Sequence, residues 1–107
     1  MNTPAKDTLK LLDEQINDPN GPRSSYFLKA ELLMALDRQE EAIKVIEQLA
    51  TVTSRRKITF YEASRFFFWR ELYSSSLVLI NIAMEEDFND EMCGEHRREI
   101  LAKIQGR

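Results

Sequence analysis

Shifting the 107-residue chain by 34 positions superposes three of its stretches, and this internal period limits the possible folds more than any other feature. Leu9, Ile43 and Leu77 fall on one another, as do Leu11, Val45 and Leu79, and then Leu12, Ile46 and Ile80. Ile16, Ala50 and Met84 continue the series, while Thr8, Ala42 and Ser76 keep one recurring place small. A second set lies between these stretches: Tyr26 with Phe60, Phe27 with Tyr61, Ala30 with Ser64, and Leu33 with Phe67 and Leu101. Chance supplies one such apolar triple readily; four in register it does not.

Within each unit the apolar residues are spaced by three and four. Leu9, Leu12 and Ile16 share one helical face, and so do Ile43, Ile46, Leu49 and Ala50. The spacing predicts six helices near residues 4–17, 23–36, 39–52, 59–71, 74–86 and 90–104. Start signals accompany them. Thr3-Pro4 offers an N-cap followed by a tolerated proline, Thr59 with Glu62 has capping-box spacing, and Asp37 with Glu40 is its acidic counterpart. Pro19, Gly21 and Pro22 make the strongest break in the chain.

Composition excludes several classes. Leu, Ile, Val and Phe number 29, too many for a disordered polymer, and Gly and Pro total six, too few for a turn-rich sandwich or barrel. A net charge of −3 gives no overall attraction to nucleic acid or to an anionic membrane. Apolar runs such as 66–69 and 77–80 fall far short of the roughly 18 residues of a membrane span. The first residues lack a cationic segment followed by an apolar one, and the single Cys93 suits a reducing, cytoplasmic setting.

Reactive side chains are sparse. Cys93 and His96 would share a helical face, but two ligands do not close a zinc site, so solvated or partly packed side chains are expected and no metal. Ser74-Ser75-Ser76 lacks a recognisable base; Ser74 reads as a helix cap and Ser76 as a close helix contact. The acidic run 85–91 lacks the glycine and terminal glutamate of a calcium loop, and serves better as negative charge at the start of the last helix. Arg55-Arg56-Lys57 reads as a solvated basic connection. No phosphate loop or catalytic dyad is present in the sequence, so no enzyme, cofactor or catalytic residue is expected.

The aromatic cluster is the informative feature. Phe60, Ala63, Ser64 and Phe67 are expected to face a paired helix. Because Phe66, Phe67, Phe68 and Trp69 are consecutive, they span almost the whole circumference and cannot all enter one core. At least one reaches a partner, a second copy of the chain or a groove.

The 34-residue period, the aromatic at Tyr26, small Ala30, Leu33, the run Asp37 to Ile43 with small Ala42, and the matching Phe60, Ser64, Phe67, Tyr73, Ser76, Ile80 and Ala83 resemble the tetratricopeptide repeat family. Glu71 stands where that family has a glycine, Leu49 where it has an alanine, and Ser54 and Phe88 replace its terminal proline. The resemblance implies an all-α fold of antiparallel helical hairpins stacked as a short right-handed solenoid. A single domain over 1–107 would hold an N-terminal half-repeat at 1–22, repeats at 23–56 and 57–90, and a capping helix at 91–107.

It also implies a concave groove lined by first helices, which here carry Phe27, Leu28, Glu31, Met34, Tyr61, Glu62, Arg65, Phe68 and Trp69. One cation among two acids and several aromatics does not suit a carboxylate clamp. The implied function is a protein–protein interaction scaffold taking an apolar or amphipathic peptide or helix, similar in size and groove to small secretion chaperones. The alternative is an oligomerisation module with the aromatic surface as a homodimer interface. Neither reading requires nucleic acid or a membrane.

Overall fold

The structure, a computed structural model, describes residues 4–106. It is all-α: among the described residues there are six helices, α1 Pro4–Asn17, α2 Ser24–Ala35, α3 Gln39–Thr53, α4 Arg56–Trp69, α5 Tyr73–Ala83 and α6 Glu91–Ile104. The chain divides into two compact units, Met1–Leu49 and Ala50–Arg107, with the division falling inside α3.

In the first unit α1 packs on α2. Leu12 enters this core with Tyr26, Ala30, Leu33, Ala42, Val45, Ile46 and Leu49. Leu11 stays 54% exposed although its repeat mates Val45 and Leu79 are buried, so the first stretch follows the period only in part. The break at 18–23 is fixed by Gly21, whose N–H donates to the Asp18 carbonyl at 2.9 Å. A β-carbon on Gly21 would lie 2.2 Å from the Gln15 carbonyl oxygen, so only glycine fits this close approach.

In the second unit α4 packs on α5, α5 on α6, and α4 on α6. Its core holds Phe60, Ala63, Phe67, Phe68, Leu79, Ile80, Ala83, Met84, Cys93 and Ile100. Of the predicted α4 face, Phe60, Ala63, Ser64 and Phe67 are all fully buried. Ser76, predicted as a close contact, meets Ser64 across the α4–α5 pair.

Several start signals are corrected. Thr3 lies outside the described residues. Helix α4 begins at Arg56, and Thr59 is a buried residue inside it whose hydroxyl meets that of Thr53 at 2.9 Å. Ser25 and Cys93 occupy the same repeat position and are also buried, so the place holds a small polar residue rather than a cap. Ser74 lies within α5, which starts after Leu72 without a side-chain cap.

Asp37 does not cap α3. It adopts a left-handed conformation, φ +60°, and closes α2: the Arg38 N–H donates to the Leu33 carbonyl at 2.8 Å and the Asp37 N–H to Met34 at 3.0 Å. The same turn closes α4. Glu71 has φ +63°, the Leu72 N–H donates to Phe67 at 2.9 Å, and the Glu71 N–H donates to Phe68 at 3.0 Å. These are the two bonds of a Schellman closure, which ordinarily takes glycine at its left-handed residue. Asp37 and Glu71 are 34 residues apart, so the period extends to backbone geometry.

A β-carbon in the left-handed region costs about 1 kcal/mol or more. Glu71→Gly is therefore expected to stabilise the protein by about 1 kcal/mol in urea denaturation, an unchanged slope showing that the native state is otherwise intact.

Candidate functional site

Helix α4 packs on α5 and also touches α6, and its residues fall into two sets. Phe60, Ser64 and Phe67 are fully buried, with Ser64 reaching Ser76 of α5, while Tyr61, Arg65 and Phe68 meet His96 of α6. Successive residues of a helix are rotated by roughly 100°, so Ser64 reaches Ser76 of α5 and Nε2 of His96 while its neighbour Arg65 meets the other nitrogen of that ring.

The junction of the three helices is polar and enclosed. The Ser64 hydroxyl donates to the Ser76 carbonyl at 2.7 Å, and the Ser76 hydroxyl donates back to the Ser64 carbonyl at 2.7 Å. Ser64 Oγ also lies 2.9 Å from His96 Nε2. With the serine proton committed to Ser76, Nε2 carries the hydrogen and donates to Ser64, leaving Nδ1 as an acceptor toward Arg65 Nη1 at 3.4 Å. The neutral imidazole is thereby satisfied at both nitrogens. Burial first, and then the Arg65 charge, hold its pKa below the ordinary 6.5, against smaller opposing pulls from Glu99 and Ser64.

A serine and a histidine at 2.9 Å have the spacing of a nucleophile and its base. Their surroundings do not suit that chemistry. Ser64 and Ser76 are fully buried and His96 is 1% exposed, and Nδ1 faces a guanidinium where an orienting carboxylate would be needed. The cluster holds helices together.

Around this junction the aromatic rings are arranged edge to face. Tyr61 and Phe68 meet the His96 ring at 5.6 and 5.4 Å between centroids, and Phe68 meets Tyr73 at 5.5 Å and Trp69 at 5.7 Å. The Arg65 guanidinium lies over the rings of Phe68 and Trp69, at 5.8 and 5.4 Å, and 3.8 Å from the Glu99 carboxylate. Such placement lets the cation meet the negative ring face.

The nine residues expected to line a groove are distributed as follows. Phe27, Leu28, Glu31 and Met34 belong to the first unit, where each is half-buried. Tyr61, Glu62, Arg65, Phe68 and Trp69 belong to the second. Glu62 is exposed, and Tyr61 and Arg65 are half-buried. Phe68 is only 8% exposed and is used in the contact with His96 and Tyr73, whereas Trp69 is 71% exposed. Of the four consecutive aromatics, Trp69 is the one that projects outward.

Cys93 and His96 are buried, not solvated, because α6 turns both toward the rest of the unit. Burial pushes the Cys93 thiol up to about 11, so it is an inert thiol. Of the basic connection, Arg55 is exposed as expected, whereas Arg56 and Lys57 are half-buried and paired. Arg56 and Lys57 form the first turn of α4: Arg56 lies 3.7 Å from Glu85, and Lys57 donates to Asp90 at 2.8 Å with Asp87 at 3.9 Å. Asp90 is the N-cap of α6 and accepts from the Cys93 N–H at 2.9 Å, as expected of acids beside that helix start. Among the described residues, no three His, Cys, Asp or Glu side chains converge as metal ligands would, and no helix is long and apolar enough to cross a membrane.

Comparison with protein-family models, with curated proteins and with solved structures finds no match for the chain.

The hydrogen bond from Lys57, with that from the Cys93 N–H second, holds the Asp90 carboxyl at about 2, below its ordinary 3.8. Its contribution to stability is thus full above about pH 4 and is lost as pH falls toward 2. In Lys57→Met the Asp90 carboxyl is expected to titrate closer to 3.8, as followed by NMR of its side-chain carbon, and the variant should melt lower than wild type at neutral pH.

Proposed function

We propose that the protein is a tetratricopeptide-like, non-enzymatic interaction scaffold whose α4 surface, centred on Trp69, docks an apolar or amphipathic segment of a protein partner. The observation that carries this reading is the contrast along one turn of helix: Phe67 and Phe68 are buried, while Trp69 remains 71% exposed beneath the Arg65 guanidinium. Leaving an indole in water forgoes much of its burial energy, and tryptophan, tyrosine and arginine together are the residues that most often anchor interfaces.

Support for the repeat class comes from the 34-residue recurrence of the Schellman turn at Asp37 and Glu71, and of buried small residues at Ala30 and Ser64 and at Ala42 and Ser76. The partner offers an apolar face more than a charge. Arg65 is already opposed by Glu99, and Glu62 adds a negative charge nearby in sequence, so the surface has little net sign to read. A role in holding an aggregation-prone partner segment belongs to the same reading.

Affinity capture from the native source, followed by titration of the recovered partner, tests it. Trp69→Ala and Tyr61→Ala are expected to weaken the partner at least tenfold, the loss of about 2 kcal/mol typical of an aromatic anchor. Both should melt closer to wild type than Phe67→Ala, which empties a core site at a cost of about 3–5 kcal/mol. A partner bound equally well by both variants refutes the Trp69 surface. A stable dimer that Trp69→Ala converts to monomer, with no partner captured, would instead make this surface a homodimer interface.

A further inference from the structure

His96 is the only histidine and Trp69 the only tryptophan of the chain, and two side chains touch both: Phe68 through its ring and Arg65 through its charge. On one side the guanidinium supplies Nη1 to the imidazole Nδ1 at 3.4 Å; on the other it lies over the indole at 5.4 Å. The imidazole is enclosed, with Nε2 committed to Ser64 and, through Ser64, to Ser76 of α5. An added proton has one place to go. It must sit on Nδ1, turning an acceptor into a donor that faces another donor, and placing two cations in contact.

Among the described residues, helix α4 presents Arg65 and Tyr61 to this ring, α5 reaches it through the uncharged Ser76 bonded to Ser64, and α6 itself supplies Glu99 beside Arg65. Glu99 lies one turn beyond His96 and 3.8 Å from Arg65. It is a carboxylate in position to follow the new proton, since residues three apart on a helix share a face.

We infer that protonation of His96 exchanges Glu99 from Arg65 to the imidazolium and frees the Arg65 guanidinium from the two polar contacts that fix it over the Trp69 ring, making the α4 surface proton-sensitive. That this regulates partner binding rests on the function proposed above; the coupling between His96 and Trp69 does not. The neutral form holds the Arg65–Trp69 pair in place, and the acid form loses that preorganisation. The direction of the pH effect follows from the geometry. An imidazole disfavoured as a cation in the folded protein binds its proton at lower pH than in the unfolded chain. The neutral arrangement is therefore fully populated above the ordinary histidine range and is given up as pH falls below it.

The test uses the whole chain without a partner. The His96 ring resonance, the Trp69 emission and the far-ultraviolet circular dichroism are followed from about pH 8 to about pH 5. The expected result is an imidazole midpoint below 6.5, a step in Trp69 emission at that same midpoint, and an unchanged helix signal. In Arg65→Met the histidine still titrates but the emission step disappears; in His96→Gln emission is flat. Should His96→Gln fail to fold, Arg65→Met and the wild-type midpoints carry the test.

Four results overturn the inference. They are an imidazole that stays neutral throughout, emission that stays flat while the imidazole titrates, a step that survives in Arg65→Met, and helix loss at the same midpoint. None of these readouts involves a partner. Coupling found where no partner exists refutes only the binding function, and a Trp69-dependent partner with flat emission refutes only the switch.

Discussion

Ser64 and Ser76 lie at the crossing of α4 and α5, and each hydroxyl donates to the other residue's carbonyl at 2.7 Å. Short side chains let the two helices approach, and the reciprocal bonds leave neither hydroxyl unpaired on burial. The arrangement also leaves Ser64 Oγ able to accept one more bond, which it takes from His96 of α6. The serine pair therefore joins three helices. In the first unit the corresponding places hold Ala30 and Ala42, equally buried and with no polar side-chain atom. The period demands smallness at these positions; polarity is added in the unit where a histidine of α6 meets the pair.

A buried imidazole beside a guanidinium is a costly choice unless every atom is matched, because a partly satisfied buried network is worse than an apolar one. Here the matching is complete: among the described residues no buried side-chain nitrogen or oxygen lacks a partner. The network also explains the fate of the aromatic run. Phe67 is buried in the core and Phe68 packs on His96 and Tyr73. A further step of about 100° leaves Trp69 beyond either core. Its exposure is a geometric consequence of filling two adjacent faces of one helix with aromatics.

What could be read from the sequence follows from how local each interaction is. The helices, the small contact at Ser76 and the buried face of α4 all repeat at three-, four- or 34-residue intervals, so the pattern carries them. His96 escaped because its partners Ser64 and Arg65 are 32 and 31 residues away on another helix, and no spacing within α6 distinguishes a buried histidine from a solvated one. The basic run at 55–57 misled for the same reason, since its acids lie 33 residues on at Asp90 and earlier at Glu85 and Asp87. Asp37 and Thr59 misled in the opposite way. Each belongs to a residue type that caps helices, yet one closes the preceding helix and the other lies inside the next. The period itself held the correction, since Asp37 aligns with Glu71, and Thr59 with Ser25 and Cys93.

Helix α6 is anchored at two points with very different responses to acid. At its start, Asp90 caps the first turn and is held by Lys57, so its carboxyl stays charged down to about pH 2. Near its middle, His96 is held neutral between Ser64 and Arg65, where burial and the Arg65 charge disfavour the imidazolium and a proton would set two cations against each other. A helix pinned at its N-terminus while its central contact is strained responds at the contact, on the face shared with Arg65 and Trp69, without giving up its place on α5. The anchor that a proton strains is thus the one joined through Arg65 to the α4 surface where Trp69 already stands in solvent.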